Sequence, residues 1–152
     1  MAVILTAIGV VSLLIVLVLW IRRMRARREI EQYSITPEGL HALFDSNQDV
    51  LVFDVRLPLD LLARSEIIPG AKRLAPKEVI ENPSLIPKDR DSVVYCTCPS
   101  EATSAKVAMN LRRAGIYRVR PLRGGFDEWK KLGLPLRDYE EHPLVQLEGT
   151  RS

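Results

Sequence analysis

The chain opens with an apolar stretch unlike anything after it. Residues 2–21 carry no charged side chain, and only Thr6, Gly9 and Ser12 interrupt the run. Such a segment, helical at about 1.5 Å per residue, spans about 30 Å, the thickness of bilayer hydrocarbon. Nothing basic precedes it, and Trp20-Ile-Arg-Arg-Met-Arg-Ala-Arg-Arg28 follows it. A secretory signal would show the opposite order, so the pattern predicts an uncleaved transmembrane helix over 2–21. A basic juxtamembrane linker over 22–33 comes next, its last residues mostly polar.

From residue 34 the pattern changes to short apolar runs separated by turn residues. Thr36-Pro-Glu-Gly-Leu40 predicts a helix start, with Thr36 as N-cap, Pro37 in the first turn and Leu40, Leu43 and Phe44 on one face. Val50–Val55 is a continuous apolar run of strand length, as expected for a strand covered on both faces of a parallel sheet. Pro58–Arg64 reads as a short helix, Ala71–Leu74 as a short strand and Pro76–Glu81 as another brief helix. Val93–Tyr95 is a second apolar strand, ending in two cysteines. Glu101–Ala114 has helical spacing with Ala105, Ala108 and Leu111 on the packing face, and Gly115 as its stop. Ile116–Leu122 is the next strand, Gly124-Gly125 a tight turn, and Phe126–Leu132 the last helix. Residues 137–152 form a polar tail. Strands alternating with helices of these lengths predict an α/β fold with a mainly parallel central sheet.

Charge changes the picture in one place. Arg22, Arg23, Arg25, Arg27 and Arg28 crowd the C-terminal flank of the apolar segment, which by the positive-inside rule leaves the following domain in the cytoplasm. Setting those five aside leaves 17 basic against 19 acidic residues, so the pI of 9.0 reports the membrane flank and not a nucleic-acid surface. The expectation is a single-pass inner-membrane protein with no nucleic-acid partner.

Candidate chemistry gathers at the end of the second apolar strand. Cys96 and Cys98 are the only cysteines, placed where a buried strand gives way to a helix N-terminus. Unpaired N–H groups and the positive end of the helix dipole favour a thiolate there. A CxC pair in a cytoplasmic domain is not a disulfide framework. It reads as nucleophile, redox pair, metal ligands or inert strand residues. The metal reading is weak, because His41 and His142 lie far off with no ligand-like spacing, and no cofactor is expected. Asp54, at the end of the first strand, is costly to bury unless hydrogen-bonded; it reads as a cap on the next turn or as support for the cysteine loop. Arg56 reads as its companion in that support or as a surface ion pair, and Tyr95 and Trp129 as core.

The order of landmarks is specific. Phe53-Asp-Val-Arg56, Ile68-Pro-Gly-Ala71, Val94-Tyr-Cys96 before a helix, and Gly124-Gly-Phe-Asp-Glu-Trp129 together resemble the rhodanese-like sulfurtransferase domain over residues 34–136. The Ile-Pro-Gly-Ala form without a preceding histidine, with the CxCPxEATSA loop, is most similar to the rhodanese domains attached to bacterial DedA-type membrane proteins. The resemblance implies a three-layer α/β domain and a cysteine that carries sulfane sulfur as a persulfide. The loop after it turns its N–H groups toward the terminal sulfur. In that family the cysteine opens a six-residue loop followed by Ser-Ala, which Cys98, Pro99, Ser100, Glu101, Ala102 and Thr103, then Ser104-Ala105, match. Cys98 is therefore the expected persulfide carrier, with Cys96 as a resolving thiol or a small packing residue. Pro99 and Glu101 stand where many active members have a basic residue and a glycine; Lys106 and Arg123 are the nearest expected positive charges. Donors and acceptors would be small sulfur compounds, thiosulfate or a persulfide, or a persulfide-carrying protein. Three rivals follow: a silent docking module on a membrane tether, a phosphatase (for which Thr103 stands where a loop-closing arginine belongs) and a CxC redox protein.

Overall fold

In a computed structural model of the chain the described residues are 2–97 and 102–139. Elements run in the order α1 (Ala2–Tyr33), α2 (Pro37–Asp45), β1 (Val50–Asp54), α3 (Pro58–Ala63), β2 (Glu66–Ile67), β3 (Lys72–Arg73), α4 (Pro76–Glu81), a 3-10 turn (Pro83–Leu85), β4 (Asp91–Tyr95), α5 (Ala102–Arg113), β5 (Val119–Pro121), α6 (Gly125–Lys131) and β6 (Arg137–Asp138).

β3, β1, β4 and β5 form one parallel sheet in that order. Successive side chains of a strand point to opposite faces, and here both faces are filled. Val52, Val93 and Tyr95 join Leu40, Ile68, Phe126 and Trp129 on the side covered by α2 and α6. Phe53, Val94 and Cys96 join Val79, Val107, Ala108 and Leu111 on the side covered by α4 and α5. That double burial is why the strands read as unbroken apolar runs, and it gives the expected three layers.

The expected elements are present, with β1, β3 and β5 shorter than expected and β4 longer by two residues. The sheet's apolar runs extend past the strand ends because the flanking residues still pack in the core, as Val55, Ile116 and Leu122 do. Thr36 caps α2 as read, accepting the Gly39 N–H at 3.1 Å. Gly115 closes α5 with φ +83°.

Two features depart from the expectation. The polar segment before residue 34 is helix, not linker: α1 continues to Tyr33. Its last turn is held from the domain, where the Arg123 guanidinium donates to the Glu31 carbonyl and Ser34 Oγ and Arg112 lies 3.9 Å over the Tyr33 ring. Ile35 then runs beside the end of β5, its N–H donating to the Pro121 carbonyl and its carbonyl accepting from Arg123 N–H. The polar tail, secondly, begins as structure: β6 pairs antiparallel with β2 through Glu66–Asp138 and Ile67–Arg137. Tail residues 140–152 lie outside the described residues.

Among the described residues no helix is long and apolar enough to cross a membrane; side chains of 2–7, the first turns of the expected span, are not among those described. From Ile8 to Trp20 every apolar side chain of α1 is exposed.

Candidate active site

β4 ends at Tyr95, and the chain passes through Cys96 and Thr97 toward the cysteine loop. Cys98, Pro99, Ser100 and Glu101 lie outside the described residues, so the site is defined by what brackets them. On the entry side the backbone is pinned. The Tyr95 carbonyl accepts the Val55 N–H at 2.9 Å and the Cys96 carbonyl accepts the Phe126 N–H at 2.9 Å. Gly125 fits against that carbonyl: a Cβ there would lie 2.3 Å from Cys96 O. Its φ of +56° is in any case glycine's territory. The Gly-Gly turn expected as a simple corner is thus a seat for the strand end that feeds the loop.

Cys96 is turned inward. It is 1% exposed, packs among the residues between the sheet and α4–α5, and its Sγ donates to Ser104 Oγ at 3.5 Å. Ser104 is itself buried in the first turns of α5. The exit side is therefore tied to the entry side across the base of the loop. α5 starts at Ala102 and runs 12 residues, so its dipole and first N–H groups are directed at the loop. Ala102 is exposed and Thr103 half-buried.

Asp54 and Arg56 form a buried unit on the other face of the sheet. Both are essentially inaccessible (1% and 0% exposed). Arg56 Nε donates to the two carboxylate oxygens of Asp54 at 3.0 and 2.8 Å, Nη2 donates to Oδ2 at 2.5 Å, and the Arg56 backbone N–H donates to Oδ1 at 3.0 Å. The remaining guanidinium donors reach the carbonyls of Arg64 and Glu66 at 3.0 and 2.9 Å, and the guanidinium lies 4.5 Å over the Phe126 ring. Tyr95 completes the set: its hydroxyl donates to Asp54 Oδ2 at 3.1 Å and accepts the Ile68 N–H at 3.3 Å. Burial, with the Asp54 charge beside it, pushes the Tyr95 phenol well up from its ordinary range. Arg56 is not a surface partner, whereas Asp54 does cap the next turn through the Arg56 N–H and also pairs with the guanidinium. The pair ties β1 to the turn before β2 and reaches the cysteine segment through Tyr95, the residue before Cys96.

Other sequence expectations fare unevenly. Trp129 and Tyr95 are core, and Trp129 Nε1 donates to the Pro135 carbonyl at 2.8 Å. Arg123 does not face the loop but clamps α1. His41 is half-buried, pairs with Asp45 at 3.1 Å and lies beside the Trp129 ring. No group of three metal-ligating side chains occurs among the described residues.

Sequence reasoning missed the groove beside the loop. Leu57 and Pro58 from the end of β1, Ala75, Pro76 and Ile80 around α4, and Thr103 and Val107 of α5 line a mostly apolar space of about 620 Å3, with Lys77, Glu81 and Lys106 also in the lining. Its one legible signal was Leu57-Pro58, an apolar pair directly after a strand end of a parallel sheet, where such folds place ligands.

Known proteins resemble the chain in sequence and fold. Residues 36–132 match the family model described as the rhodanese-like domain. A protein named sulfurtransferase from Allochromatium vinosum is 37% identical over 102 residues, covering 67% of this chain and 92% of its own length. A probable adenylyltransferase/sulfurtransferase from Mycobacterium tuberculosis is 33% identical over 103 residues, 64% of this chain but only 24% of that longer protein. Among solved structures, a rhodanese-related protein from Thermoplasma volcanium superposes with a TM-score of 0.58 at 23% identity, over 68% of this chain and 96% of its own.

Proposed function

Because the chain belongs to the rhodanese-like sulfurtransferase family, we propose that it transfers sulfane sulfur through a persulfide on Cys98 while held at a membrane by α1. The observation that carries the assignment is the inward turn of Cys96. A thiol 1% exposed, packed in the core and bonded to Ser104, is poorly placed to meet a donor. Cys98 follows two residues later, between the buried end of β4 and the start of α5 at Ala102.

In the first half-reaction the Cys98 thiolate attacks the outer sulfur of the donor. With thiosulfate the S–S bond breaks and sulfite leaves with the electron pair; with an organic persulfide a thiolate leaves. In both, Cys98 becomes a persulfide anion. In the second half-reaction a nucleophilic acceptor takes the terminal sulfur and returns the thiolate; with cyanide the product is thiocyanate. Both half-reactions place negative charge on sulfur at the loop, where the first N–H groups and dipole of α5 stabilise it without reorganisation. Lys106, in the second turn of α5, adds a positive charge at the groove. The apolar lining favours an organic persulfide over thiosulfate, because a small dianion gains nothing from Leu57, Pro58, Ile80 and Val107 and loses hydration among them.

A persulfide-carrying protein is the second form of donor or acceptor supported by an observation. Leu59 and Leu62 of α3 are 78% and 80% exposed beside Leu57 at the groove, an apolar rim suited to a protein partner. The same rim supports the silent docking module if no sulfur is transferred. The redox-pair reading loses support from the packing of Cys96, and the phosphatase reading from Thr103 in place of an arginine. Membrane anchoring rests on the uncharged run over 2–21, its exposed apolar side chains from Ile8 onward and the arginines behind it. By the positive-inside rule, the arginine flank supports a cytoplasmic side for the domain.

Sulfur transfer is tested by loading the chain with glutathione persulfide or thiosulfate and following thiocyanate formation on adding cyanide. Anchoring is tested by carbonate washing of membranes, which should leave the full chain in the pellet and release a chain beginning at residue 34.

A further inference from the structure

A second cavity lies away from the cysteine loop, where α1 meets the domain. Gln32, Tyr33 and Ser34 form one wall; Asp91, Arg112, Tyr117, Arg118 and Arg120 form the rest, around about 450 Å3 of mostly polar space. It sits where β4 and β5 begin, at the opposite end of the sheet from Cys96, so it has no part in sulfur transfer.

Its charge is unbalanced and its cations are not equivalent. Arg118 is committed: Nε and one terminal nitrogen hold the Asp91 carboxylate at 3.1 Å each, and the other donates to the Asp89 carbonyl. That bond also keeps Asp91 ionised to lower pH than usual, so the pair is neutral and does not repel an anion. Arg112 stacks on Tyr33 and spends one nitrogen on the Tyr117 carbonyl at 2.9 Å, leaving its other N–H donors toward the cavity. Arg120 is half-buried in β5, and its guanidinium makes no hydrogen bond or ion pair among the described residues. The α5 carbonyls that would oppose an anion here are occupied, since Gly115 and Ile116 N–H groups donate to the oxygens of Arg112 and Leu111.

We propose that this cavity binds a phosphoryl group, with Arg120 and the spare donors of Arg112 as its hydrogen-bonding partners. Guanidinium forks match phosphate oxygens geometrically, and a partly enclosed site screens them less than open water would. The space holds a phosphoryl group together with part of the molecule that bears it. Two sources share this chemistry. A lipid headgroup reaches the cavity only if α1 tilts, because Arg22 to Tyr33 spans about 17 Å of helix; a soluble phosphate reaches it at any tilt.

The test uses the full chain in phosphatidylcholine nanodiscs, with the unfolding midpoint of the domain as readout. Pyrophosphate is titrated in one arm, and phosphatidylglycerol replaces part of the lipid in the other. Arg120→Gln removes a guanidinium that makes no hydrogen bond or ion pair among the described residues and attracts Asp91 only through space, so its midpoint without phosphate should stay close to wild type. Stabilisation by either probe, weakened at least about tenfold in apparent affinity by Arg120→Gln and unaffected by Lys72→Gln on the far edge strand, upholds the site. Pyrophosphate alone then identifies a soluble ligand, and phosphatidylglycerol alone a lipid. No stabilisation of wild type by either, or a shift that survives Arg120→Gln, overturns it.

Discussion

Replacing Gly125 with alanine tests how the strand end is held for chemistry. The added Cβ meets two obstacles. Gly125 has φ +56°, and an L-residue in that region costs about 1–2 kcal/mol. The Cβ would also lie 2.3 Å from the Cys96 carbonyl oxygen, where a carbon-to-oxygen contact needs about 3.3 Å. The carbonyl must therefore retreat by about 1 Å, and its bond from the Phe126 N–H, worth about 1 kcal/mol, weakens or breaks. Together these give about 2–4 kcal/mol, or about 10–30 °C in midpoint for a domain of this size. Gly133→Ala is the matched control, because Gly133 has φ +66° with nothing within 4 Å of the added carbon; it should cost only the backbone part, about 1–2 kcal/mol. Thermal unfolding of both variants measures the difference. Sulfur transfer measured well below both midpoints adds a second readout. A displaced Cys96 passes its shift to Cys98, so Gly125→Ala should be slower by about 10–100-fold, while Gly133→Ala should match wild type. Equal destabilisation by the two substitutions would refute the contact argument, and full activity in Gly125→Ala would refute its link to the site.

Three further outcomes follow from the buried unit and the groove. Asp54→Asn leaves the Arg56 cation buried without its carboxylate and should cost about 3–5 kcal/mol in chemical denaturation; a loss under about 1 kcal/mol would mean the ion pair is not what ties β1 to the turn before β2. Tyr95→Phe removes the hydroxyl between Asp54 and Ile68 and should cost about 1–3 kcal/mol. In wild type the phenol's folded pKa lies above its ordinary 10.0. Its contribution is thus complete below about pH 10 and declines as pH rises further, because the unfolded chain releases that proton first; tyrosinate absorbance from Tyr95 before unfolding would contradict this. Ile80→Gln in the groove should raise KM for an organic persulfide several-fold while leaving thiosulfate turnover nearly unchanged; equal effects on both donors would argue against an apolar substrate body there.

The sequence exposed the sheet more fully than its supports. Val50–Phe53 and Val93–Tyr95 lie in strands covered on both faces, so their burial is written directly into unbroken apolar runs, and the glycine at 115 marks its helix end by the same local logic. What escaped is held by contacts between distant residues. The polar turn ending at Tyr33 has no amphipathic pattern and is helical because Arg112 and Arg123, far along the chain, grip it. β2 and β6 have two residues each, too short for alternation to register. Of the site, the cysteine loop read from its spacing lies outside the described residues. Its seat escaped the sequence, because a glycine pair reads as a turn until the Cys96 carbonyl is seen against it. Arg56 reads locally as a surface charge, and only the fold supplies the carboxylate geometry and two carbonyls that make it a core residue.

The central claim is that sulfur travels on Cys98. Intact mass of the full chain after incubation with glutathione persulfide should show one added sulfur in wild type and in Cys96→Ser, and none in Cys98→Ser. Cyanide should remove that sulfur with matching release of thiocyanate. A sulfur adduct that persists in Cys98→Ser and disappears in Cys96→Ser would contradict the account, because the transfer would then run through the thiol buried against Ser104.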